Sequence, residues 1–175
     1  MQQPALDFQN HRWRYDNTSN NLTQQRIGNM SLQTDRIFFD ILSSNTTLME
    51  QLADRLYNTA IPVPDEQAAN VPAPYVIITF DGFTNSQDSK DSYEGEYDNV
   101  SVSILIVAKD REQLADLVDV IRTTIEGYLE EATESDPDFD ELPADYQLSG
   151  SQINYDPDKK ASYMTLTYAC SVLSH

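Results

Sequence analysis

Asp136, Asp138 and Asp140 stand at alternate positions, the spacing with which the first ligands of a calcium loop begin. The pattern then fails: Glu141 holds the position that needs glycine, Gln147 the position of the closing bidentate glutamate, and Pro143 interrupts the helix that should follow. A solvated acidic loop is the plainer reading. Nucleophilic chemistry is as poorly served. The histidines are His11, in a polar N-terminal stretch, and His175, the last residue, so a Ser-His-Asp or Cys-His site would rest on chain ends. Cys170 is the single cysteine and sits in an apolar alternation, where a thiol packs as a small hydrophobe and its pKa rises. No Gly-x-Ser-x-Gly elbow, Walker loop, Gly-x-Gly-x-x-Gly or zinc-spaced Cys/His pair occurs. No catalytic, cofactor or metal residues are expected.

The charge balance points the same way. With 29 acidic and 11 basic residues, a net charge of -18, the surface repels phosphate backbones and anionic membranes. That excludes gripping DNA but suits a conduit through which DNA slides. No segment approaches the roughly 18 apolar residues of a membrane helix, and the N-terminus lacks a basic and apolar leader, so a protein folding in the cytoplasm is expected.

Residues 1–29 are rich in Asn and Gln and show no sustained period, which reads as a flexible arm. Its one aromatic and cationic cluster includes Trp13, Arg14 and Tyr15, suited to docking on an acidic neighbour. Residues 30–175 read as one α+β domain. Ser31 is a candidate N-cap for a helix striped by Leu32, Ile37, Phe38, Ile41 and Leu42; Ser43-Ser44-Asn45 breaks it, and a second helix is expected through Leu48, Met49, Leu52, Leu56 and Tyr57. The prolines between Ile61 and Pro74 force an extended linker. Tyr75 to Phe80 is a strand, doubly covered and stopped by Asp81-Gly82, and residues 83–95 form a long polar loop to the next strand. There Val100, Val102, Ile104 and Ile106 alternate with Ser101, Ser103, Leu105 and Val107.

Asp110 and Gln113 then have capping-box spacing ahead of Leu114, Leu117, Val118, Ile121, Ile125 and Leu129. An acidic connection, beginning at Glu130 within an acidic loop of residues 130–145, leads to strands Tyr146–Tyr155 and Ala161–Leu173, joined by a turn at Asp156–Lys160. The expected architecture is a mostly antiparallel four-stranded sheet with two to three helices on it, in the order α-α-β-β-α-β-β.

On these residues the chain resembles the tail terminator, or tail completion, proteins of long-tailed bacteriophages. The resemblance covers roughly residues 31–173. It rests on a helix ahead of Pro74-Tyr75-Val76, a loop, the strand Val102-Ser103-Ile104-Leu105-Ile106-Val107-Ala108-Lys109-Asp110, and the helix containing Ala115-Asp116-Leu117-Val118-Asp119-Val120-Ile121-Arg122. It implies a subunit of a ring, commonly hexameric, that caps the finished tail tube and forms the surface joining tail to head. The implied partners are further copies of itself, the tail tube protein and a neck or head completion protein, with DNA passing through unbound and no membrane involved. It implies a place in the neck region of the virion tail, after assembly in the host cytoplasm. The loop, with Phe83, Asp88, Lys90, Tyr93 and Glu94, would contact tube or neighbouring subunits, and acidic residues would line the channel. A neck or head completion protein, and a small hydrolase with a carboxylate site, are the alternatives. A stoichiometric ring separates the first two from the third, which requires a deep pocket around a carboxylate of raised pKa.

Overall fold

The computed structural model describes residues 34–62, 70–86, 96–135 and 145–174. Trp13, Arg14 and Tyr15, the proposed cap Ser31, both histidines, the Asp136–Asp140 run, and Asp88, Lys90, Tyr93 and Glu94 lie outside these residues.

Helix α1, Thr34–Ser44, and helix α2, Thr46–Leu52, meet at Asn45. The Asn45 side chain accepts from the Leu48 amide at 3.0 Å and donates to Thr124 Oγ1 at 2.8 Å, capping α2 while tying it to a distant helix. α2 does not reach Leu56 and Tyr57 as the leucine spacing suggests. Ala53 and Asp54 take left-handed conformations (φ 47° and 59°), and the Ala53 and Asp54 amides donate to Glu50 and Met49 carbonyls, closing the helix in a Schellman-type stop. The chain then enters β1, Leu56–Asn58, which runs parallel to β2, Tyr75–Ser86.

β2 continues past Asp81-Gly82, where a stop was expected, through a bulge between Phe80 and Gly82 that keeps it paired with β3, Glu96–Ala108, out to Ser86. Residues 83–86 of the expected loop are therefore strand. Helix α3, Arg111–Ser135, is opened by the Asp110 carboxylate, which accepts from the Gln113 amide at 2.8 Å, while Gln113 Oε1 accepts from the Lys109 amide at 3.0 Å. The helix persists through Glu130–Ser135, part of the expected acidic connection, because Glu and Ala are good helix formers whatever their charge.

The expected strand Tyr146–Tyr155 is two: β4, Asp145–Gly150, and β5, Asn154–Asp156, both paired with β6, Ala161–Ser174. Between them Ser151 repairs the ladder. Its amide donates to the Thr165 carbonyl at 2.8 Å, and its hydroxyl accepts from the Thr165 amide at 2.9 Å.

The sheet thus has six strands, not four, in the order β1-β2-β3-β6-β4 with β5 also on β6, and the β1–β2 pair is its one parallel pairing among the described residues. The helices cover one face. Phe38, Leu42, Leu48 and Leu52 join Leu114, Leu117, Ile121 and Ile125 over Val102, Ile104, Ile106, Leu166 and Tyr168, all buried. Each such Leu or Ile contributes about 1.5–3 kcal/mol through removal of apolar area from water. The alternations expected in β3 and β6 and the apolar stripe of α3 are observed as this core. Among the described residues, β2 is covered on its second face only near its start, where Ile61, Val71 and Ala73 pack on Tyr75, Ile77 and Val107.

Candidate functional site

The second face of the sheet carries the most distinctive polar arrangement among the described residues. Cross-strand registers place Thr79, Ser103, Thr167 and Ser149 in one row, then Gly82, Ser101, Ala169 and Gln147, then Thr84, Asn99, Ser171 and Asp145. The side chains of the first two rows, and those of Thr84, Asn99 and Ser171, point away from the helices, because their neighbours in each strand form the core and successive residues alternate. The bulge turns Asp81 onto the same face, where its carboxylate accepts from the Ser103 hydroxyl and, at 3.5 Å, from the Ser101 hydroxyl. Ser103 Oγ lies 3.3 Å from Thr167 Oγ1, and Ser171 Oγ donates to Asn99 Oδ1 at 3.2 Å.

The result is a lattice of short hydroxyl and amide groups anchored on one carboxylate. The four strand segments of this half, 79–86, 96–103, 145–149 and 167–174, contain no Lys or Arg. Such a surface offers hydrogen bonds without positive charge, so it has nothing with which to hold a phosphate backbone electrostatically.

Groups with raised pKa lie on the helix side instead. Burial pushes the Cys170 thiol up to about 12, so it stays protonated and unreactive, a core thiol as the alternation implies. Burial, followed by the nearby Glu126 carboxylate, raises the hydroxyls of Tyr146 and Tyr168. At the other end of the open face Lys159 Nζ lies 3.4 Å from the Tyr75 hydroxyl and 6.0 Å from its ring centroid, beside a shallow hollow lined by Leu105, Val107 and Tyr163.

Of the contact residues expected from sequence, Phe83 is described: it lies in β2 beyond the bulge, half exposed, beside Val100. Asp81, Ser101, Ser103 and Thr167 were not expected as a group. The alternation of Ser101 and Ser103 against valine was visible in the sequence, but the meeting of β2, β3 and β6 that joins them to Asp81 and Thr167 was not.

No protein-family model and no curated protein matches the chain. Among solved structures, a chain of a particle described as "Virion of native gene transfer agent (GTA) particle" aligns over 78% of this chain and 91% of that one, at 11% identity and a TM-score of 0.44. A superposition of that score assigns no role.

Proposed function

We infer that the chain is a structural subunit of a tailed phage or phage-like virion, a tail terminator that assembles into a ring on the end of the tail tube and presents the surface to which the head side joins. The observation that carries this reading is the open sheet face: a helix-backed wall of hydroxyl and amide groups around Asp81, without Lys or Arg in its strand segments. A wall of this chemistry suits the inside of a conduit, where DNA must pass and not stick. The resemblance of residues 31–173 to terminator proteins supplies the particular place in the particle.

The test is the mass in solution, by light scattering coupled to size exclusion, of the chain alone and mixed with the tail tube protein of its particle. A ring of copies in either condition supports the reading, and co-elution with tube protein places that ring at the tube end. A chain that stays monomeric and ignores tube protein throughout overturns it.

A further inference from the structure

An open row of strand N–H and C=O groups is a template for another strand, and proteins usually blunt it with Lys, Pro, short strands or a covering segment. This sheet leaves two such rows among the described residues. On one side β1 pairs only with Val76–Ile78, so β2 from Thr79 to Ser86 has β3 as its sole strand neighbour. On the other side β4 pairs with β6 alone. Neither stretch contains Lys, Arg or Pro. Each has one carboxylate, Asp81 or Asp145, in a chain of net charge -18.

The two open edges also match in position and direction. The row Thr79, Ser103, Thr167, Ser149 and the row Thr84, Asn99, Ser171, Asp145 put the free part of β2 level with β4 across the sheet. Along β2, β3, β6 and β4 each strand is antiparallel to the last, so β4 runs opposite to β2. A second copy rotated about an axis along the strands therefore brings its β4 beside β2 in antiparallel sense.

We propose that β4 of one copy pairs with residues 79–86 of β2 in the next, joining the sheets head to tail into a continuous wall; this rests on the ring reading above. Such a contact uses two different patches of each copy and closes into a ring when the rotation per copy divides the circle. Each copy adds four strands at about 4.8 Å, about 19 Å of wall, so six copies span about 115 Å around. The helices lie outside and the hydroxyl face inside.

The backbone atoms that make the contact follow from the registers. The Val76 amide donates to the Arg55 carbonyl, and the Ile78 carbonyl accepts from the Thr59 amide, so even-numbered residues address the outer side at the start of β2. The bulge shifts this parity, and Phe83 and Asn85 address it beyond Gly82. On β4 the corresponding residues are Tyr146 and Leu148, because Ser151 bonds inward to Thr165.

Phe83→Pro removes one outward donor without touching the β2–β3 ladder, whereas Phe83→Ala removes the side chain and keeps the donor. In the full chain, with tube protein where the ring needs it, Phe83→Ala should still form rings and Phe83→Pro should not, while its monomer keeps a cooperative thermal transition. Hydrogen exchange on the unaltered chain reads the same contact independently of any variant. The amides of Phe83, Asn85, Tyr146 and Leu148 should slow by about a hundredfold on ring formation. Rings in which these amides exchange as fast as in the monomer overturn the edge pairing and leave the ring reading standing. Amides already protected in dilute monomer mean that the chain's own segment covers the edge, which also overturns it. Absence of rings under all conditions overturns both.

Discussion

Tyr168 packs its ring against Phe38 and Tyr146, with centroids 5.1 and 6.0 Å away, yet its buried hydroxyl has no hydrogen-bond partner. A buried, unpartnered hydroxyl costs about 1–3 kcal/mol of lost hydration. Tyr168→Phe keeps the ring contacts and removes that cost, so it should leave stability unchanged or raise it by about 1 kcal/mol, read as the midpoint of urea unfolding. Two positions along β6, Cys170 is displaced by burial from 9.0 to about 12. The folded chain therefore holds this proton more tightly than the unfolded one. The stability that comes with it is fully present below pH 9 and drains away as pH rises from 9 toward 12. The raised tyrosines act in the same direction from about pH 10. The urea midpoint should fall between pH 8.5 and 10, and Cys170→Ala should flatten that fall.

At the scale of elements, the bulge in β2 decides most. It lengthens the strand beyond the Asp-Gly pair, aims Asp81 at Ser101 and Ser103, and changes which residues face the outer edge. Gly82 makes it possible with a φ of 140°, which side chains rarely adopt, although the space around it is open. The requirement is conformational and not steric. Gly82→Ala should cost about 1–3 kcal/mol in chemical denaturation, with the loss centred on β2. A variant as stable as the parent would show that the bulge relaxes freely.

Across the whole molecule, the apolar cluster draws on α1, α2, α3 and the sheet, from Phe38 to Val172. Removal of residues 1–29 should therefore leave a cooperative thermal transition in a chain beginning at Met30, measured by calorimetry. Loss of that transition would make the segment part of the core and not an arm. A truncated chain that folds but forms no rings would assign the segment to assembly, which the light-scattering experiment reads directly.

The sequence by itself determined the elements that bury an apolar stripe. The alternations Val100–Ile106 and Met164–Val172, the α3 stripe and the Asp110 cap are all local patterns, and burial on one face writes a period into each. It also determined the charge that speaks against gripping nucleic acid. Only the tertiary structure decided that Leu56–Asn58 leaves the helix for a parallel strand, that β2 runs on through a bulge, that Ser151 splits one strand into two, and that among the described residues both sheet edges end without a further strand at the same level. These features depend on backbone hydrogen bonds between residues far apart in the chain. Periodicity records which side chains are hidden, and it is silent about which strand lies alongside. The candidate surface is made of such pairings, and so Ser103, Thr167 and Asp81 became one site only when three strands met.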